Sequence, residues 1–160
     1  DGLKNSIRWH QGQIKMYGKL MNEGRLTAWY GDTNYKYSGK VNTPNKWTPE
    51  LIEVKNLVEQ IGKSYNLCLL NYYRHGSDSI GMHSDDEKAL DTSSGIASLS
   101  FGGSRDFVFR HKEKNEKITV QLDDGDLLLM LGDTQKYWKH GVPKRTQADA
   151  RINLTFRRTA

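Results

Sequence analysis

His83 and Asp85 lie two residues apart in Gly81-Met82-His83-Ser84-Asp85-Asp86-Glu87, a pairing that packing does not explain. In an extended segment alternate side chains point the same way, so a ring nitrogen and a carboxylate oxygen meet on one side. Such a pair suits a metal ion, and a third ligand must come from elsewhere. His140, in Tyr137-Trp138-Lys139-His140-Gly141, is the candidate, with His75 in the loop Arg74-His75-Gly76-Ser77 as its rival. Two imidazoles and one carboxylate on one face, with other positions open, form the ligand set of non-haem Fe(II) oxygenases.

An oxygenase of that kind needs a second substrate that chelates iron and supplies two electrons. A dicarboxylate such as 2-oxoglutarate fits the need, and its far carboxylate requires a fixed cation. Arg151-Ile152-Asn153-Leu154-Thr155-Phe156-Arg157 alternates strictly, with Ile152, Leu154 and Phe156 on one face and the polar residues on the other. Such a face looks either at water or into a polar cavity. An arginine there grips a carboxylate with two parallel hydrogen bonds, where a lysine offers a point charge. Asn71 and Tyr73, two apart in Leu67–Tyr73, add neutral donors.

The elements that must hold these residues are mostly short strands. Apolar runs at Leu67–Tyr73, Ile96–Phe101, Asp106–Arg110, Ile118–Leu122, Asp126–Leu131 and Arg151–Arg157 are separated by Gly, Asp and Ser, the pattern of a sandwich or jelly roll. Lys112–Glu116 reads as a solvated hairpin loop and Asp123-Asp124-Gly125 as a tight turn. One helix is predicted from Thr48, an N-cap followed by Pro49 and Glu50, to a C-cap at Gly62. Leu51, Val54, Leu57, Val58 and Ile61 make its apolar stripe. Residues Ile7 to Tyr17 alternate about Gln11-Gly12 and predict a β-hairpin turning there; Arg25–Asp32 is a further strand. The expected fold is mainly β, of the α+β kind, in one domain over 1–160: about 1–47 a hairpin and substrate-recognition lid, and 48–160 the helix and core.

A chain of 160 residues supports one core. Lys and Arg total 24 against 19 Asp and Glu, a formal net charge of +5, which favours a polyanionic partner. A lone cysteine, Cys68, excludes a disulfide framework and a thiolate metal cluster, and points to a reducing compartment. No apolar run approaches the roughly 20 residues of a membrane helix. An intracellular monomer, nuclear or cytoplasmic, is expected; the start at Asp1 suggests that a targeting segment ahead of it has been lost.

In sum of motifs, Asn71-x-Tyr73, His83-x-Asp85, His140 and Arg151-x-Asn153-x-Thr155-Phe156-Arg157 occur in the order of the AlkB family of Fe(II)- and 2-oxoglutarate-dependent dioxygenases, which the chain resembles from about Ile14 to its end. The resemblance implies a double-stranded β-helix core, with His83, Asp85 and His140 as iron ligands. It implies Asn71, Tyr73, Arg151, Asn153, Thr155 and Arg157 as 2-oxoglutarate contacts, Arg157 clamping the distal carboxylate. Tyr30-Gly31-Asp32, Tyr35-x-Tyr37, His83-x-Asp85-Asp86-Glu87, Ser98-x-Ser100-Phe101-Gly102 and Arg105-Asp106-Phe107-x-Phe109-Arg110 are similar to the branch that repairs methylated bases in DNA and RNA. Its implied reaction demethylates 1-methyladenine and 3-methylcytosine with Fe(II), O2 and 2-oxoglutarate, releasing succinate, CO2 and formaldehyde. Tyr35 and Tyr37 would wall the base pocket, suited to a cationic base, and Glu87 would accept from the exocyclic amine. Arg110 would join a phosphate rim with Arg105, His111, Lys112, Lys136, Lys139, Lys144 and Arg145. Trp9 or Ile7 would wedge into the duplex, the alternative being that Trp9 packs under the sheet. The competing functions are hydroxylation of a protein or small molecule on the same iron core, and an inactive nucleic-acid-binding relative.

Overall fold

The computed structural model describes residues 2–32, 34–37, 40–88 and 90–159, with the backbone alone at 14, 16, 35–37, 40–42 and 92. Two sheets form the frame. The larger takes β1 (His10–Met16), β2 (Lys19–Gly31), β5 (Leu67–Tyr73), β12 (Arg151–Arg157), β7 (Ile96–Gly102) and β10 (Leu127–Met130), in that spatial order. The smaller runs β6 (Ile80–His83), β11 (Trp138–Val142), β8 (Arg105–His111) and β9 (Lys117–Leu122). A two-stranded ribbon, β3 (Tyr35–Tyr37) with β4 (Lys40–Asn42), stands beside them. Among the described residues three α-helices accompany the strands: α1 (Gly2–Ser6), α2 (Pro49–Ile61) and α3 (Thr134–Tyr137). The pairings within both sheets are antiparallel, the arrangement of the expected jelly roll.

Period-two alternation gives the large sheet two chemically different faces. Ala28, Tyr30, Cys68, Leu70, Ala97, Leu154 and Phe156 point to one side and pack under α2 through Leu51 and Val58. Arg151, Asn153, Thr155 and Arg157 point to the other and are all buried, so the polar face of β12 lines the interior between the sheets. There Tyr73, Ile96 and Met130 meet Phe107, Leu122 and Val142 of the small sheet in a second apolar cluster.

Two local expectations are corrected. The hairpin turns at Tyr17-Gly18, where φ is +51° and +77° and Met16 pairs with Lys19; a two-residue loop with both φ positive matches the twist of the strands it joins. Gln11-Gly12 is an irregularity in the ladder, where the β1–β2 register shifts. In α2 the cap is as predicted, Thr48 Oγ1 accepting from the Leu51 N–H at 3.2 Å, but the stripe is narrower. Leu57 and Ile61 are 56% and 69% exposed, because the helix lies on the sheet along Leu51 and Val58 and both fall beyond that line.

Candidate active site

β6 ends at His83, and antiparallel pairing sets His140 of β11 directly opposite it. Asp85 follows two residues later, and the three side chains converge between the sheets. His140 Nε2 is 3.2 Å from Asp85 Oδ2 and His83 Nε2 is 3.8 Å from Asp85 Oδ1. The ligand atoms all lie within 4.8 Å of one another, the scale of one ion's coordination sphere when bonds are about 2 Å. His83 Nδ1 sits 2.7 Å from the Gly81 carbonyl and must donate to it. That fixes the tautomer and leaves Nε2 with its lone pair towards Asp85. His75, the rival ligand, is exposed on its loop, and its Nδ1 accepts from the Ser77 N–H.

Electrostatics keep the cluster in its ligating form. Burial lowers the pKa of His83, against the pull of Asp85, and favours the neutral ring. Burial works to raise the Asp85 pKa, but the Arg157 guanidinium, with His140 and His83, outweighs it and holds the carboxyl well below the usual range. Arg157 Nη1 donates to Asp85 Oδ1 at 3.0 Å.

That contact ties Arg157 to Asp85, while its Nε has no hydrogen-bond partner among the described residues. Of the two arginines of β12, Arg151 is the one without an ion pair among the described residues. Its Nη2 donates to Ser100 Oγ at 2.8 Å and its guanidinium lies 5.2 Å from the Tyr73 ring centroid. Among the described residues Nε and Nη1 have no hydrogen-bond partner and no carboxylate pairs with the guanidinium. Arg151 is 1% exposed, and a buried charge without a counter-charge costs several kcal/mol. Two free donors on a buried cation fit a carboxylate ligand. Farther along β12, Asn153 Nδ2 donates to Ser98 Oγ at 2.7 Å and Thr155 Oγ1 donates to Asn153 Oδ1 at 2.8 Å. Asn71, Tyr73, Asn153, Thr155 and Arg157 line the same cavity as His83, Asp85 and His140.

Five residues with no role assigned from the sequence contribute here. Arg25 of β2 enters the cavity, its Nε donating to Asn71 Oδ1 at 2.7 Å; the available signal was its place two before Thr27 on an alternating strand. Ser98 and Ser100 stand opposite Thr155 and Asn153 and hold Asn153 and Arg151. Gln135 of α3 accepts the Asp85 N–H at 2.8 Å, while Ser84 Oγ donates to the Trp138 carbonyl at 2.6 Å, so α3 and the start of β11 fix the segment bearing the carboxylate.

The expected substrate residues divide. Trp9 is half-buried and packs on Tyr72 at 5.2 Å between ring centroids, among the residues under α2. Tyr72 points away from Asn71 and Tyr73, so Trp9 lies on the opposite face of the sheet from the site, and Ile7 is buried with it. The wedge assigned to either is corrected: the apolar tip of the hairpin is Tyr17, 96% exposed, with Leu20 and Met21. Arg105 also leaves the phosphate rim, because it is fully buried and its Nη2 donates to the carbonyls of Asp78 and Pro143. Arg110 is exposed. It stands opposite Lys139 on one side and Lys117 on the other, both exposed, on the outer face of the small sheet. Like charges directly opposed are destabilising, and none of the three has an ion-pair partner among the described residues, so the row suits a polyanion. Glu87 is half-buried two residues beyond Asp85. The side chains of Tyr35 and Tyr37 lie outside the described residues.

Comparison with known proteins agrees with this geometry. A family model described as the 2OG-Fe(II) oxygenase superfamily matches residues 1–157. The DNA oxidative demethylase ALKBH2 of Mus musculus is 41% identical over 171 residues, covering 98% of this chain and 72% of that protein. The Bos taurus ALKBH2 is 41% identical, covering 98% of this chain and 62% of its own length. The alpha-ketoglutarate-dependent dioxygenase alkB homolog 3 of Bos taurus is 47% identical over 167 residues, covering 97% and 58%. The chain thus spans about three fifths to seven tenths of the length of these relatives. The solved structure of OsALKBH1 superposes with a TM-score of 0.57 at 19% identity, covering 92% of this chain and 80% of that one, and shows the shared fold. The chain belongs to the 2OG-Fe(II) oxygenase superfamily and, within it, to the AlkB family.

Proposed function

We propose that the chain is an oxidative demethylase of N-alkylated bases, of the 1-methyladenine and 3-methylcytosine type, in DNA or RNA. The observation that carries the reading is the His83–Asp85–His140 cluster sharing one cavity with Asn153, Thr155 and Arg157 of β12, on the same strand face as buried Arg151, whose Nε and Nη1 have no hydrogen-bond partner among the described residues. Identity of 41% to a protein named a DNA oxidative demethylase supports the substrate class, as does the net charge of +5.

His83, Asp85 and His140 would hold Fe(II), which with 2-oxoglutarate and O2 would supply the oxidation of the N-methyl group, giving succinate, CO2 and formaldehyde. Arg151, beside the Tyr73 ring and with Nε and Nη1 lacking a partner among the described residues, would take the distal carboxylate of 2-oxoglutarate. Asn71 and Arg25 bound the cavity on the β2 side, and Asn153 and Thr155 stiffen its floor. Arg157 keeps Asp85 ionised and oriented. The base has to leave its stack to reach the site, which costs least where methylation has already broken its pairing. Glu87 accepts from its exocyclic amine, and Tyr17, Leu20 and Met21 meet the duplex at the hairpin tip. The row Lys117, Arg110 and Lys139 holds phosphates without reading sequence. Asn71, Tyr73, Asp85, His140, Arg151, Asn153, Thr155 and Arg157 are buried, so substrates that enter there displace water.

The test is a panel of methylated single- and double-stranded DNA and RNA oligonucleotides, incubated with Fe(II), ascorbate and 2-oxoglutarate and read by mass. Loss of 14 Da per methyl group with matching formaldehyde, abolished in His83→Ala at unchanged fold, is expected in keeping with the loss of one CH2. Retained turnover in His83→Ala rules out the assigned cluster.

A further inference from the structure

The structure points to a stacking ledge for a second base beside the site, and we propose that Tyr137, backed by His111 and flanked by Lys136 and Lys112, receives an unpaired base neighbouring the one that enters. This rests on the nucleic-acid reading above. Tyr137 ends α3 and is 41% exposed. Its ring lies nearly parallel to His111, with centroids 6.1 Å apart and planes at 12°. His111 is itself immobilised: its Nδ1 accepts the backbone N–H groups of Glu113 and Lys114 at 3.1 and 2.9 Å, and Trp138 meets it edge-on at 5.0 Å. The Lys112 N–H donates to the Tyr137 carbonyl at 2.8 Å. A ring held this firmly loses little freedom on binding.

Cations and position complete the case. Lys136 Nζ lies over the Tyr137 ring, 5.2 Å from its centroid, on a flexible stem that can swing aside to a phosphate when a base stacks, and Lys112 Nζ donates to the Gln135 carbonyl at 2.9 Å and lies 3.9 Å from Asp86 Oδ2. Aromatic faces interleaved with lysines suit single strands of any sequence, because every base has a π-face and every linkage a charge. Tyr137 closes α3 three residues before His140 of β11, which sets the ledge within a few nucleotides of the site at about 3.4 Å per stacked step. Hydrogen bonds from Ser84 and Asp85 to Trp138 and Gln135 hold the ledge in register with the site. A duplex keeps its bases stacked on each other and cannot use the ledge.

Fluorescence anisotropy of labelled, unmethylated single-stranded and duplex oligonucleotides, titrated with iron-free protein across a salt series, tests the proposal. Tyr137→Ala is expected to lose about 5- to 100-fold in single-strand affinity with the salt slope and duplex affinity unchanged. Tyr137→Phe and Tyr137→Trp retain the affinity, and Lys136→Gln flattens the salt slope by about 0.7. Unchanged single-strand affinity in Tyr137→Ala overturns the ledge, as does an equal loss in Tyr137→Phe or a loss that tracks a fall in thermal midpoint, which would mean packing. Demethylation of a methylated oligonucleotide by the wild-type chain is scored separately: with it, a failed ledge leaves the proposed function standing, and without binding or turnover both fall.

Discussion

Replacing Arg151 with Met is expected to move ligand binding and fold stability in different directions. The guanidinium is 1% exposed, and Nε and Nη1 have no hydrogen-bond partner among the described residues; each unsatisfied buried donor costs about 1–3 kcal/mol. Methionine fills similar volume and removes that penalty. The substitution also removes the hydrogen bond to Ser100 Oγ and the contact with the Tyr73 ring, each worth about 1 kcal/mol. The net expectation lies between no change and a gain of about 4 kcal/mol, or up to about 16 °C in thermal midpoint for a domain of this size. Binding of 2-oxoglutarate loses a buried, hydrogen-bonded charge pair, worth about 2–5 kcal/mol, hence about 30- to 4,000-fold in Kd. Calorimetric titration of 2-oxoglutarate with Mn(II) as a redox-silent metal reads the affinity, and melts without metal read the stability. Arg157→Met serves as the contrast: it strips the charge that compensates buried Asp85 and should cost about 3–5 kcal/mol. An Arg151→Met protein that melts far below wild type while binding 2-oxoglutarate within about threefold refutes the reasoning.

Three further outcomes are expected. Gln135→Leu leaves the Asp85 N–H without its acceptor, costing about 1–3 kcal/mol of stability and about 10- to 100-fold in metal affinity, read by Co(II) titration. Asp78 accepts three hydrogen bonds from Arg74; burial works to raise its pKa, but Arg74 prevails and lowers it. A depressed carboxyl contributes stability that is present above about pH 3.9 and lost as pH falls through the folded pKa, so Asp78→Asn should lower the urea midpoint at pH 7 by the equivalent of about 1–3 kcal/mol and flatten its fall below about pH 4. Trp9→Ala is expected to cost about 1–3 kcal/mol, less than a fully buried tryptophan, and to affect single- and double-stranded turnover alike, whereas Tyr17→Ala leaves stability within about 0.5 kcal/mol and lowers duplex turnover selectively; the reverse pattern would return the wedge to Trp9.

The residues that proved hardest to place from sequence are those whose roles depend on what another strand brings opposite. His83-x-Asp85 was legible because both ligands lie within three residues of each other, and the apolar half of β12 was legible because its period is local. Tyr17-Gly18 was missed because a two-residue turn announces itself through Asn-Gly or Asp-Gly, and a tyrosine with positive φ carries no such signal. Leu57 and Ile61 satisfy the helical period, yet whether a flank is covered depends on how α2 lies across the sheet. Gln135 gave no signal, since its function is one hydrogen bond to a backbone 50 residues away.

Arg151 and Arg157 show the limit most clearly. They are six apart on a strand, so alternation puts them on the same face and makes them equivalent as candidates for the carboxylate. What separates them is register. β12 lies between β5 and β7, with Arg151 opposite Tyr73 and Gly102 and Arg157 opposite Leu67, so one guanidinium falls beside a tyrosine and a serine and the other reaches Asp85. A slip of one residue would turn the whole polar row towards α2, burying two cations against Leu51 and Val58, and the alternative register is excluded by that cost. The apolar residues Ile152, Leu154 and Phe156 thereby set the position of the charges between them: the face that packs under the helix decides which arginine is left free to meet an anion.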